Sequence, residues 1–225
     1  GTRAAPSGLQ RPTFFSWAFD ADVPELVNGP IDSLNTGALP SPRGGQVNPV
    51  TDRVAVWGDF GIDTVLIASN GEFGGLISPA SGGLHQGAWR EDGTAIYGRQ
   101  QTAQAGVLMT LTYDPDTDSF DNFLNVWSQL QAVEPDRNRS AGFAWSHDHA
   151  YVAISYQRSA QPHHLDVYEW DDVTGLGSLV SRVTSNDLDG IGSGEVCFIV
   201  GDRGLLHRSS GRLTLIPVVD GVMSA

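Results

Sequence analysis

The chain has 225 residues, 40% of them apolar and 17% charged, with a formal net charge of −13. That length can bury a sizeable core, and that charge repels phosphate backbones, so nucleic acid is not an expected partner. No apolar run approaches the roughly 18 residues that cross a bilayer as a helix, and no secretory signal opens the sequence, so no membrane span is expected.

Residues 1–13 are polar and carry Pro6 and Pro12, which predicts an N-terminal arm ahead of a single domain over 14–225. FFSWAF, residues 14–19, is the first apolar run and reads as a strand or an aromatic patch. Residues 20–45 hold Pro24, Pro30, Pro40 and Pro42 and read as a long loop that crosses a surface or touches a partner. Residues 53–57 and 63–68 are two strands, and Asn70-Gly71 supplies a turn suited to a tight hairpin. A further hairpin occupies 87–120. Phe123, Trp127 and Leu130 then fit one face of a short helix, or a strand followed by a loop. Residues 150–156 and 165–170 are the clearest strand pair. Residues 195–200 and 212–219 form a last pair, bridged by a turn at Gly204 and by Ser209-Ser210-Gly211. The units therefore lie near 14–45, 46–80, 87–121, 143–180 and 191–220. Cys197, the single cysteine, sits in the apolar run 196–200 and reads as a buried, inert thiol. All 13 basic residues are arginine.

Two of these units repeat each other. Trp89 and Trp145 are 56 apart, as are Asp92 and Asp148, while Tyr113-Asp114 and Trp170-Asp171 are 57 apart. Self-similarity at this period points to a radial or stacked β array in which neighbouring units cover one another. Trp145, Ser146, Asp148, Tyr151, Ala153, Val167, Tyr168 and Asp171 together resemble the degenerate repeats of WD-repeat-like β-propellers. In particular they resemble those in structural and tail-associated proteins of tailed bacteriophages. Trp89, Asp92, Gly93, Ala95, Tyr113, Asp114 and Asp116 match the same pattern. The terminal Trp-Asp dipeptide survives only as Trp170-Asp171, and the usual Gly-His is absent. The resemblance implies an all-β, propeller-like array of about four to five units, open or incomplete. It also implies a virion structural protein, present in many copies or as a homo-oligomer and contacting other virion proteins. A secreted or surface bacterial propeller that binds carbohydrate or peptide is the alternative.

Chemistry is sparse. Asp114, Asp116 and Asp118 have the 1-3-5 spacing of a calcium loop, but Ser119 and Asn125 stand where such a loop needs Gly and Glu. They read as a solvated turn and a weak calcium candidate. His147, His149, His163 and His164 are split by a strand of about seven residues at ~3.3 Å each, too far apart for one zinc ion. No nucleophile elbow, phosphate loop or glycosidase carboxylate pair is evident. No cofactor and no enzymatic activity are expected. Trp89 and Trp145 read as framework, leaving Trp17, Trp127 and Trp170 for an interface, a sugar platform or the core.

Overall fold

A computed structural model describes the backbone of residues 2–4, 10–12, 14–20, 23–31, 42–58, 61–67, 73–81, 86–101, 106–117, 119–188, 191, 194–209 and 211–224. It describes most side chains within 45–57, 87–98, 108–138, 142–188 and 191–224. β1 (Thr2–Ala4) pairs with β2 (Gln10–Pro12), and β3 (Phe14–Asp20) pairs with β4 (Val23–Ile31). Four sheets of four strands follow, each a meander whose successive strands are neighbours. They are β5 (Pro42–Val47) to β6 (Arg53–Gly58), β7 (Gly61–Ile67) and β8 (Phe73–Ser81); β9 (Gln86–Trp89) to β10 (Ala95–Gln101), β11 (Gly106–Asp114) and β12 (Ser119–Leu124); β13 (Arg137–Trp145) to β14 (Tyr151–Arg158), β15 (His164–Asp171) and β16 (Gly175–Thr184); and β17 (Glu195–Phe198) to β18 (Gly204–Ser209), β19 (Arg212–Val219) and β20 (Val222–Met223). Helix α1 (Val126–Val133) precedes β13. The chain divides into two compact units, Gly1–Gln100 with Leu111–Asp121, and Gln101–Thr110 with Asn122–Ala225.

Several expectations need correction. The 20–45 segment contains β4 and the start of β5 rather than a continuous loop. Its prolines sit where a ladder tolerates them: Pro24 and Pro30 lie in a two-stranded sheet, and Pro42 opens an edge strand. Within the expected arm, residues 2–4 and 10–12 form a two-stranded ladder. Gly204 begins strand β18 instead of a turn, pairing with Pro217 of β19. Residues 126–133 take the helical alternative. Asn125 caps the helix by accepting from the Ser128 N–H at 2.9 Å, and Pro135 follows its end. Val126, Trp127 and Leu130 are its buried residues, whereas Phe123 lies on β12 and is exposed. Asn70-Gly71 lies outside the described residues.

The two Trp-anchored units are equivalent in detail. Trp89 pairs with Ile96 at the close of β9, and Trp145 pairs with Val152 at the close of β13. One turn follows each. The N–H of Arg90 donates to Ala95 O at 2.8 Å, and that of Ser146 to Tyr151 O at 2.9 Å; Asn48 to Arg53 and Ile199 to Gly204 repeat this bond in the other two sheets. Asp92 and Asp148 brace these turns by accepting the N–H of the residue two further on, each at 3.0 Å. Trp89 and Trp145 also meet equivalent partners edge-on, Tyr113 at 5.2 Å and Trp170 at 6.1 Å.

A left-handed position recurs in three of these turns, filled by Gly93, His149 and Asp202 at φ of 71°, 59° and 54°, and Gly201 at 75° precedes it in the last. At Gly93 space is also short, because a Cβ would collide with the side chains of Asn48 and Val50. Asn48 Nδ2 donates to Gly93 O at 2.8 Å there. Gly93→Ala is therefore expected to cost about 1–3 kcal/mol, read as a fall in urea midpoint at unchanged slope. An unchanged midpoint would show that the neighbouring turn yields freely.

In the second unit the β13–β16 and β17–β20 sheets pack face to face. Ala153, Leu165, Val167 and Val183 of the former meet Val196, Phe198, Leu205, Ile216, Val218 and Met223 of the latter. β15 is buried at every position from His164 to Tyr168, with Leu165 and Val167 on the face towards the last sheet and the polar His164 and Asp166 enclosed on the other. β17 alternates strictly, with Val196 and Phe198 inward and Cys197 outward. Cys197 is thus exposed, contrary to expectation, because it falls on the odd side of an alternating strand.

Candidate functional site

A charged cluster of the second unit lies on the face of the β13–β16 sheet that carries α1. Even-numbered residues of β15 place His164, Asp166, Tyr168 and Trp170 on that face, and cross-strand pairing sets Tyr156 beside His164 and Arg182 beside Asp166. Asp166 is fully enclosed. Its carboxylate accepts from Arg182 Nε at 2.8 Å, from an Arg182 terminal nitrogen at 2.7 Å, from the Tyr156 hydroxyl at 2.6 Å and from the Tyr168 hydroxyl at 3.0 Å. Arg182 also donates to Glu134, just beyond α1. The Tyr156 proton is committed to Asp166, so at 2.9 Å His164 Nδ1 is the donor to the Tyr156 oxygen, which fixes the tautomer.

Glu134, His164 and Asp166 bring ligand atoms within 4.8 Å of one another. The arrangement nonetheless suits an ion-paired network better than a cation site, because the Arg182 guanidinium bonds both carboxylates. Burial, then the Asp166 charge, pushes both tyrosine hydroxyls far above their ordinary range. The hydrogen bonds to Asp166 hold Arg182 protonated against burial. Every strong group is thereby locked to a neighbour, and the network fastens α1, β14, β15 and β16 together.

Burial, then the Arg182 charge, pulls the His164 pKa below its ordinary value of about 6.5. The folded state therefore holds His164 neutral, while the unfolded chain takes up a proton below about pH 6.5. Stability from this source is complete above that pH and is lost as pH falls through the lowered value. Hydrogen bonds within their turns hold Asp148, Asp171 and Asp187 below the usual carboxylate range, so their contribution persists to lower pH. Thermal melts from pH 7 to 5 should show a decline that His164→Gln flattens. An identical decline in that variant would contradict the assignment.

The other sequence candidates are dispersed. His147 Nδ1 meets Asp202 Oδ1 at 2.7 Å, and the His147 N–H donates to the same carboxylate at 2.9 Å, tying this turn to the last sheet. The adjacent Ser146 hydroxyl is spent on Asp148 at 2.6 Å and on the Tyr151 N–H at 2.9 Å, so no serine nucleophile is assembled there. His149 occupies the left-handed turn position. His163 lies against Gln161 and the Arg158 N–H. Asp114 accepts from the Asp116 N–H at 2.9 Å and from the Thr117 hydroxyl at 2.7 Å, which commits both its oxygens to its own turn. Asp116 is exposed beside it, and Asp118 lies outside the described residues. Trp127 and Trp170 are buried, and the Trp17 side chain lies outside the described residues.

A different feature stands on the outer face of the last sheet. Leu213, Leu215 and Val219 of β19 are 68%, 57% and 68% exposed, and Pro217 between them is exposed too. Register places Leu206 beside Leu215, Cys197 beside Leu206, and Val222 beside Val219. The result is a continuous apolar sheet face, with the Arg208–Glu195 pair at 3.2 Å on the same side.

No protein-family model and no curated protein matches this chain. Solved structures do. The β-propeller domain of Cps50 (Swd1) from Myceliophteria thermophila aligns with a TM-score of 0.58 at 16% identity, over 93% of this chain and 64% of that one. A protein from Lactobacillus plantarum aligns at 0.57 and 15% identity, over 81% and 53%. A protein from Bacteroides uniformis, named as a candidate 6-phosphogluconolactonase, aligns at 0.57 and 12%, over 99% and 62%. The fold is all-β and propeller-like. This chain spans between 53% and 64% of the length of these three structures. At such identities the likeness concerns fold alone, and each four-stranded meander is a blade.

Proposed function

We propose that this chain is a non-enzymatic, propeller-like assembly protein that docks on neighbouring subunits of a larger particle. The observation that supports this reading best is the outer face of the β17–β20 blade. Exposed apolar residues scattered singly are ordinary, but a row on alternate positions of one strand, continued onto its neighbours, is the composition of a surface that another protein covers. The polar network on the other blade supports the same reading from the opposite direction, since its acids and bases are spent on one another. The repeat resemblance suggests the virion of a tailed bacteriophage as the particle, with this chain in several copies beside other virion proteins.

The test is incorporation. Particles purified from cells that supply either the native chain or a Leu213→Asp, Leu215→Asp variant are analysed by mass spectrometry. Native chain in the particles and variant chain left in the lysate is the expected result. A folded variant that incorporates like the native chain would show that this face does not dock, and a native chain absent from particles would end the virion reading.

A second reading, a surface propeller that binds carbohydrate or peptide, has one feature in its favour. An open trough of ≈ 400 Å³ lies at one end of the β13–β16 blade, lined by Tyr151, Glu169, Trp170 and Asp171. Trp170 is only 9% exposed and meets Phe143 and Trp145 edge-on, so it offers little free ring to a sugar. Melts against a glycan panel separate the two readings.

A further inference from the structure

At the end of the β13–β16 blade opposite that trough, two arginines face each other across neighbouring strands. Arg137 opens β13 and Arg158 closes β14, directly paired in register. Like charges in that relation repel. Arg137 is 8% exposed, and its guanidinium carbon lies 4.2 Å from the centroid of the Trp127 ring on α1. Among the described residues nothing accepts a hydrogen bond from that guanidinium, and its Nε is buried without a partner. Burial alone lowers its pKa, with no carboxylate to offset the effect. Arg158 is half provided for: one terminal nitrogen reaches the exposed Asp136 at 3.1 Å, while its Nε is also buried and unpartnered. Arg182, on the same face, pairs with two carboxylates.

Stacking on an indole uses the flat face of a guanidinium and leaves its in-plane donors free. A desolvated cation with idle donors is costly unless an acceptor completes it. A group with several oxygens would accept from the fork of Arg137 and, by neutralising charge, relieve the repulsion from Arg158. We propose that Arg137 and Arg158 form a binding site for a small oxyanion, a carboxylate or phosphate group carried by a ligand, with Trp127 as its floor. The remainder of the chain is strongly acidic, so this pair is where an anion would settle. The proposal is independent of the docking face and stands or falls without it.

The experiment is a thermal melt of the native chain in sodium phosphate and in sodium acetate, each compared with sodium chloride at equal ionic strength. At least one of the two should raise the melting temperature above the chloride control, and which one does so identifies the group. Arg137→Gln should weaken that binding by at least about tenfold, and Arg137→Lys should fail to restore it, because lysine keeps the charge and loses the fork. Should Arg137→Gln not fold, Arg158→Gln and the arginine Nε–H resonances of the native chain give the same reading. A saturable shift of the Arg137 signal is expected. No shift from either anion beyond chloride, or a full shift retained in Arg137→Gln, would overturn the site and leave the Arg137–Trp127 stack as a clamp on the helix.

Discussion

Arg182→Met should lower the unfolding free energy by about 3–5 kcal/mol, the cost of stranding one member of a buried ion pair. Methionine approximates the arginine stem, so packing is nearly conserved and the loss is electrostatic. Asp166, with no exposed surface, would keep its two tyrosine donors and lose both bonds to the guanidinium, and Glu134 would lose the same partner. Adding Asp166→Asn to that variant removes the stranded charge and should recover a substantial part of the loss. The pair would then be non-additive, as groups sharing one network are. Urea denaturation of the two single variants and the double variant measures this. A loss below about 1 kcal/mol for Arg182→Met, in the range of exposed pairs, would mean that water reaches the network and that it does not fasten α1 to the sheet.

The second large effect belongs to Gly142. It lies on β13 where that strand meets β17, and a Cβ there would collide with the Gly194 carbonyl oxygen and sit 2.9 Å from the Val196 nitrogen. Those are backbone atoms, so no rotamer change relieves the contact. The same junction is held by Ser155, whose hydroxyl donates to the Gly194 oxygen and accepts from the Gly194 N–H at 3.2 Å. Gly142→Val should cost at least about 3 kcal/mol, at the upper end of overpacking, by forcing the blades of the second unit apart. Hydrogen exchange should show protection falling first in β17 and β18. Unaltered exchange there, with stability lost elsewhere, would place the strain in β13 itself.

Much of the fold was legible because the sequence repeats. Trp89 and Trp145, with Asp92 and Asp148 three residues beyond each, marked the strand-turn unit that the coordinates show in matching registers and hydrogen bonds. The outer strands were not legible. β16, GLGSLVSRVT, is exposed or half-exposed along most of its length and has no apolar period to read. The prolines of 20–45 misled for a similar reason, since edge strands admit a residue that central strands reject. Phe123, Trp127 and Leu130 alone leave helix α1 ambiguous, and the cap that defines its start is the bond from the Ser128 N–H to the Asn125 side chain.

The polar network was invisible in the sequence because Glu134, Asp166 and Arg182 lie 16 to 48 residues apart and meet only through sheet register. One signal was available: Asp166 interrupts a strand whose neighbours on both sides are buried, and a carboxylate in such a place calls for a cation. His147, His163 and His164 each meet a different partner, Asp202, Gln161 and Tyr156. Cys197 was misplaced because an apolar run gives no parity, and one residue of register decides which side of a sheet a side chain faces.

The position of that thiol has a practical use. Cys197 sits on the outer blade face, one strand from Leu206 and two from Leu215, and the chain has no other cysteine. A fluorophore attached through maleimide chemistry would therefore report from a single known spot, dimming or brightening when something covers the surface. Oxidation, likewise, would join this spot either to a foreign protein or to its own twin on a second molecule, and the mass of the linked product would tell which had arrived.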